Sequence, residues 1–179
     1  MIHVPDHERG VLRVFAVDLP DTEAAAFVAA PAGGLASPFN TALVKGLTLD
    51  NDFVEAFPVA RLHEVGHPDL LSYVSGAPVK PADLAHNTKT LKAQTGWVVL
   101  IWSKAFGGAA AELHPTPLIR LVSSLRLTEP DGPSTARRMP KPAAAPVSAA
   151  MQHRNRITGI ALITLVLVAL GLVYVGLPF

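Results

Sequence analysis

The sequence contains no cysteine, which excludes disulfide bonds, thiolate zinc sites and cysteine nucleophiles throughout the 179 residues. It also lacks a GxGxxG fingerprint and a P-loop, so no motif supports nucleotide binding. No period of 20–50 residues repeats, which argues against a solenoid or a propeller. The absence of thiols agrees with a cytoplasmic location for the folded part of the chain.

Acidic residues are missing from residues 132–156, which carry five Lys and Arg and a net charge of +5. Residues 1–131 carry ten Lys and Arg against fourteen Asp and Glu, a net charge of −4. An acidic body argues against nucleic acid as a partner, because phosphate backbones attract basic surfaces. The basic segment instead indicates a part of the chain that faces a membrane.

Residues 157–177 (ITGIALITLVLVALGLVYVGL) form a stretch of 21 residues without charge or proline. At about 1.5 Å per helical residue this stretch extends roughly 30 Å, the thickness of the hydrocarbon core of a bilayer. A helix on the surface of a small domain is apolar on one face, whereas this stretch is apolar on all sides. The sequence therefore predicts a single transmembrane helix over residues 157–177.

The residues before the predicted span set its orientation, because positive residues beside a transmembrane helix stay on the cytoplasmic side. They are Arg137, Arg138, Lys141, Arg154 and Arg156, and only Pro178 and Phe179 follow the span. We therefore expect residues 1–156 to be cytoplasmic and the C-terminus to face outward. The alanine and proline content, without cysteine, is typical of a bacterium with a GC-rich genome, so the expected location is the bacterial inner membrane.

Residues 128–156 form a predicted linker that is rich in proline, alanine and basic residues. Its early and middle parts contain Pro130, Pro133, Pro140, Pro142 and Pro146, which favour an extended and unpacked chain. At about 3 Å per residue the proline-rich part, residues 128–149, reaches some 60–70 Å as an extended stalk. The sequence thus predicts three parts: a cytoplasmic domain over residues 1–127, called the head below, then the linker and the span.

The head is predicted to be an α+β domain with a small mixed or antiparallel sheet covered by helices on one face. The patterns predict strands at 11–19, 53–57, 97–102, 109–113 and 118–127, and helices at 22–30, 67–73 and 80–94. Residues 37–49 fit a helical face but stay ambiguous. Pro58 either places the second strand at an edge of the sheet or splits it.

The last three predicted strands are expected to form a meander. The run WVVLIW at 97–102 has the short, β-rich composition of a central strand covered on both sides. Gly107 and Gly108 predict a hairpin that joins this run to residues 109–113. The final strand leaves room for a bulge at Ser123 and Ser124.

The motif that most specifically suggests a catalytic activity is HEVGH, which begins at His63 and matches HExxH. The segment resembles the zincin signature, in which two histidines one helical turn apart bind zinc and the glutamate activates a zinc-bound water. The resemblance implies His63 and His67 as zinc ligands and Glu64 as the catalytic base. Pro68 departs from the pattern because it disfavours the α region at the preceding residue, and Tyr73 stands where a metzincin has its third ligand.

Three functions fit these features. We expect a tail-anchored accessory or assembly subunit of an integral membrane protein complex, because the anchor is joined to a small domain without a convincing catalytic set. Its partners are then the lipid bilayer and that complex, and it needs no cofactor. The alternative is a membrane-tethered zinc metallopeptidase that uses His63, Glu64 and His67. A tethered small-ligand sensor is the second alternative, and no specific residue points to it.

Overall fold

The computed structural model describes residues 1–30 and 36–128 of the chain. The predicted span, and the predicted linker beyond Thr128, lie outside the described residues. The strands in the described ranges are β1 (Ile2–Val4), β2 (Val11–Val17), β3 (Val54–Pro58), β4 (Trp97–Trp102), β5 (Ala111–Leu113) and β6 (Ile119–Arg126). The α-helices there are α1 (Asp21–Val28), α2 (Pro38–Leu43), α3 (Leu70–Val74) and α4 (Pro81–Lys92).

A four-stranded antiparallel sheet with the strand order β3-β4-β2-β6 forms the centre of the fold. Phe15 of β2 lies opposite Val99 of β4 on one side and Leu121 of β6 on the other. The predicted α+β class with a small antiparallel sheet is therefore confirmed. Strand β3 lies at an edge and ends at Pro58, the place that a residue without a backbone N–H tolerates.

The interior strand β4 is buried on both of its faces, as the run WVVLIW predicts. Val99 and Ile101 belong to one core, whereas Val98 and Leu100 belong to the other. Successive side chains of a strand point to opposite faces, so a continuous apolar run requires cover on both sides. The residues of β4 thus explain why the sheet lies between two apolar layers.

Helices cover both faces of the sheet, and the expectation of helices on one face is wrong. The first core contains Ala24 of α1 together with Phe39 and Leu43 of α2. The second core contains Leu70 of α3 and Leu91 of α4. The reason is that β4 is apolar at every position and β2 at every position except Arg13, so neither face of the sheet can remain in water.

The predicted meander is also wrong, because β5 leaves the main sheet. After Trp102 the chain forms a 3-10 helix, Ser103–Phe106, which ends at Gly107 in the left-handed conformation instead of a tight hairpin. Strand β5 then pairs with β1 in a separate two-stranded sheet. Strand β6 returns to pair with β2, so the order along the chain is not the order in the sheet.

A bulge interrupts the pairing of β6 with β2, close to the place that the sequence suggested. Val14 lies opposite Ser123 and Phe15 lies opposite Leu121, so Val122 is the additional residue. The bulge precedes Ser123 rather than occupying Ser123 and Ser124. It changes the face that the following residues present, because Leu121 packs on the first core and Leu125 lies in the second.

Candidate functional site

The HEVGH segment lies at the end of a 3-10 helix, Val59–Val65, instead of a continuous α-helix. Val59 and Leu62 are buried and fix this helix on the second core. Gly66 follows in the left-handed conformation with a φ of 86°, and the His67 N–H donates to the Leu62 carbonyl at 2.9 Å. This geometry differs from the single α-helix that the zincin resemblance implies.

The surroundings of the two histidines and the glutamate of the motif differ. His63 and Glu64 are exposed, and a Glu64 carboxylate oxygen lies 3.6 Å from Arg61 Nε. An ion pair this exposed contributes little to stability. His67 is half-buried, with Nδ1 3.2 Å from Ser72 Oγ and its ring edge-to-face with Tyr73 at 5.3 Å between centroids.

A metal role for His63 and His67, with Glu64 as base, stays a prediction. In the described ranges, 1–30 and 36–128, no group of three or more His, Cys, Asp or Glu side chains is placed to hold a metal ion. The zincin resemblance supplies only two histidines, and His67 is engaged by α3 through Ser72.

A polar cluster lies beside His67 and connects α3 to the edge strand β3. The Tyr73 hydroxyl donates to Glu55 Oε2 at 2.8 Å, and the Tyr73 ring packs on Phe57 at 4.9 Å between centroids. Burial raises the pKa of Glu55 above its ordinary value, although the Tyr73 hydrogen bond opposes this effect. Burial and the nearby Glu55 charge raise the pKa of Tyr73, so its hydroxyl remains a donor. The cluster therefore contains a half-buried carboxylate that is protonated more readily than a free one.

An open groove lies where the first turns of α4 meet β2 and β6. Its volume is about 570 Å³, and its lining consists mainly of polar and charged side chains: Glu8, Val11, Arg13, Ala82, Asp83, His86, Asn87, Ser124 and Arg126. Two ion pairs, Glu8 with Arg13 and Asp83 with Arg126, account for the four formal charges of this lining. The groove is therefore polar but neutral overall when His86 is uncharged.

The Glu8–Arg13 pair is the more buried of the two. Both terminal nitrogens of the guanidinium donate to the carboxylate, Nη2 at 2.7 Å to Oε1 and Nη1 to Oε2. Arg13 is only 4% exposed, and its guanidinium carbon lies 5.7 Å from the centre of the Phe106 ring. A buried guanidinium needs such a partner, because desolvation of an unpaired charge is costly.

The Asp83–Arg126 pair ties the beginning of α4 to the end of β6. Asp83 Oδ2 accepts from the Arg126 backbone N–H at 2.7 Å and from Nε at 3.0 Å, while Oδ1 accepts from Nη2 at 2.7 Å. These side-chain and backbone hydrogen bonds hold the pKa of Asp83 well below its usual range. Asp83 is therefore ionised at neutral pH and stabilises the contact between α4 and β6.

Sequence reasoning missed these three polar pairs for different reasons. Arg13 interrupts the apolar run of β2, which signals a need for a partner, and Glu8 lies only five positions away. The Asp83–Arg126 and Glu55–Tyr73 contacts join residues 43 and 18 positions apart. No local pattern predicts such contacts, because they depend on how α3 and α4 pack on the sheet.

Within the part of the chain that the structure describes, no helix has the length and apolar character needed to cross a membrane. The predicted span lies outside that part. No family model matches the chain, and neither the curated proteins nor the solved structures contain a significant match to it.

Proposed function

We propose that this chain is a tail-anchored accessory or assembly subunit of an integral membrane protein complex in a bacterial inner membrane. The observation that carries the proposal is the uncharged, proline-free stretch of 21 residues at 157–177, preceded by a linker with five basic and no acidic residues between 132 and 156. Such a stretch has the length of a bilayer core, and its basic flank favours a cytoplasmic head.

The arrangement of the head supports a binding role over a catalytic one. Its most buried charged pair, Glu8 with Arg13, holds a loop to the central sheet, and Asp83 with Arg126 holds α4 to β6. The Glu55–Tyr73 contact likewise joins β3 to α3. Each of these contacts joins two elements of the head, so each has a structural use that requires no substrate.

The linker gives the head a long reach from its anchor. An extended segment of the length of residues 128–149 allows binding some 60–70 Å from the membrane or along the side of a larger complex. Tethering also raises the effective concentration of the head near other membrane proteins, so a modest contact surface is sufficient for association.

Co-purification from native membranes tests this proposal. Membranes carrying the tagged full chain are solubilised in a mild detergent, and the proteins that elute with the tag are identified by mass spectrometry. We expect a defined set of integral membrane proteins at constant ratio to the chain. A chain that elutes alone at every detergent strength would contradict the role of accessory subunit.

A mixing control separates complexes formed in the cell from those formed after lysis. Tagged membranes from unlabelled cells are solubilised together with untagged membranes from cells grown on heavy nitrogen. Partners that belong to the assembly should elute in the light form only. Equal amounts of light and heavy partner would show that the contact formed in detergent.

A further inference from the structure

Charge is distributed very unevenly along the head. Residues 1–79 carry ten Asp and Glu against four Lys and Arg, a net charge of −6. Residues 80–128 carry six Lys and Arg against two Asp and Glu, a net charge of +4. Residues 129–131, at the start of the predicted linker, carry −2, and residues 132–156 then add +5.

The outer face of α4 carries much of this positive charge. His86, Lys89 and Lys92 follow one another at intervals of three residues and are all exposed, while Leu91 points into the second core. Residues three apart lie next to each other on a helix surface. Exposed Lys80 immediately precedes the helix and extends this basic face toward the N-terminal end of α4.

Within α4 itself, no free carboxylate opposes the charge of this face. Asp83 is the single acidic residue of α4, and its side chain is 11% exposed and bonded to Arg126. The three lysines therefore give the face a charge of about +3, since Asp83 and Arg126 cancel. A cationic helix face on an otherwise acidic head indicates a surface that meets negative charge.

Residues 126–128, which lead into the predicted linker, lie beside the start of the same helix. The Lys80 N–H donates to the Arg126 carbonyl at 2.8 Å, and the Thr128 N–H donates to the Pro78 carbonyl at 2.7 Å. The last described residues are thus bonded to the segment that begins α4. The basic linker and the basic helix face consequently start from neighbouring points of the head.

We infer that the outer face of α4 docks the head onto the anionic phospholipid surface of the membrane that holds the span. This inference rests on the proposed membrane anchor. Each Lys close to an anionic leaflet is worth about a factor of five in the bound-to-free ratio. Three lysines bind an anionic bilayer too weakly to capture the head from solution, but they are sufficient when a tether keeps the head near the bilayer. These lysines are Lys80, Lys89 and Lys92.

An anionic bilayer fits this face better than nucleic acid does. The net charge of −6 on residues 1–79 repels a free polyanion, and no tether brings nucleic acid to the head. The bilayer surface, in contrast, is kept near the head by the proposed span, so a single basic face is sufficient for contact.

Reconstitution of the full chain tests the inference. The chain is incorporated into vesicles of phosphatidylcholine alone or of phosphatidylcholine with phosphatidylglycerol, and the reactivity of Lys80 toward an amine-specific reagent is measured by mass spectrometry. We expect Lys80 to react several-fold more slowly in the anionic vesicles at low salt. High salt should restore its reactivity, because screening weakens attraction to an anionic surface.

Matched variants separate the α4 face from charge in general. The double variant Lys89→Gln/Lys92→Gln should lower the docked-to-undocked ratio about 25-fold and so expose Lys80 in anionic vesicles. Lys45→Gln/Arg120→Gln removes the same charge from exposed positions outside α4 and should leave the protection of Lys80 unchanged. All four side chains are exposed, so the fold should tolerate either pair of substitutions.

The possible failures are distinguishable. Equal reactivity of Lys80 in both vesicle types, with the chain still embedded, would overturn the docking inference and leave the anchor intact. A chain that does not remain with the vesicles would overturn the anchor, and the inference with it. Protection in native membranes but not in anionic vesicles would also overturn the inference, because it would assign the face to an acidic protein.

Discussion

Removal of the Glu8 carboxylate should destabilise the head strongly, because it leaves the Arg13 guanidinium buried without a counter-charge. The two side chains are 5% and 12% exposed, so solvent screens the pair little. Breaking a buried pair by removing one partner costs about 3–5 kcal/mol. We therefore expect Glu8→Gln to lower the free energy of unfolding by about 3 kcal/mol, since the amide keeps one acceptor.

Urea unfolding of the full chain in mild detergent measures this effect. Trp97 and Trp102 are the only tryptophans and lie at the two ends of β4, so their fluorescence reports on the central sheet. Glu112→Gln, at an exposed position of β5, removes the same charge and should change the free energy of unfolding by less than about 0.5 kcal/mol.

A double variant tests whether the cost comes from the unpaired charge. Glu8→Gln/Arg13→Met replaces the guanidinium with an apolar chain, and we expect it to recover most of the loss, because a buried pair replaced by apolar groups is often neutral. A Glu8→Gln variant within about 0.5 kcal/mol of the parent chain would show that the buried guanidinium does not depend on the Glu8 charge. A double variant that is less stable than the sum of both single variants would lead to the same conclusion.

Three further predictions concern pH, metal and topology. Because burial raises the pKa of Glu55, the native state binds more protons than the unfolded state, so the free energy of unfolding should decline as pH rises above about 4.5, the ordinary pKa of Glu. Glu55→Gln should remove this decline, and an identical pH profile of the urea midpoint in both chains would contradict the raised pKa. Elemental analysis of the purified chain should find no more zinc than in a His63→Ala/His67→Ala variant. The metallopeptidase alternative would be established if the chain held one zinc that this variant loses and if Glu64→Gln abolished peptidase activity. Because the chain has no cysteine, single cysteine substitutions report on its topology. In spheroplasts, Ser134→Cys should resist a membrane-impermeant maleimide, whereas Phe179→Cys should react with it. The reverse pattern would contradict the proposed orientation.

The elements that the sequence predicted well are those with a strong local pattern. The run 97–102 is the interior strand β4, and the pattern of residues 80–94 corresponds to α4, which Pro81 begins. Asp69 caps α3 through a hydrogen bond from the Ser72 N–H at 2.8 Å, so local chemistry also fixes this short helix. Composition and periodicity are sufficient for such elements because their main determinants are neighbours in the chain.

The parts that the sequence did not predict depend on contacts between distant residues. The pairing of β5 with β1 could not be read from Gly107 and Gly108, because a glycine pair permits a left-handed turn without choosing the next partner. The division of the helices between the two faces follows from the packing of β2 and β4, which a one-dimensional pattern shows only as continuous hydrophobicity.

The candidate site illustrates the same limit at HEVGH. Pro68 predicted a departure from α-helical geometry at His67, and the left-handed Gly66 adds a second local cause. The contact of His67 with Ser72 and Tyr73 depends on the placement of α3, so the sequence could not predict it. A motif defined by spacing alone therefore identified residues of interest without their environment.

Alkaline extraction of membranes that contain the full chain measures most directly whether residues 157–177 anchor it in the bilayer. We expect the chain to stay in the membrane pellet at high pH and to be released only by detergent. Leu165→Arg/Val168→Arg, which costs about 3 kcal/mol per charge near the centre of a span, should move the chain to the supernatant, whereas Ala144→Arg/Ala145→Arg in the linker should not. An unsubstituted chain that sediments no better than the span variant would show that residues 157–177 do not anchor it.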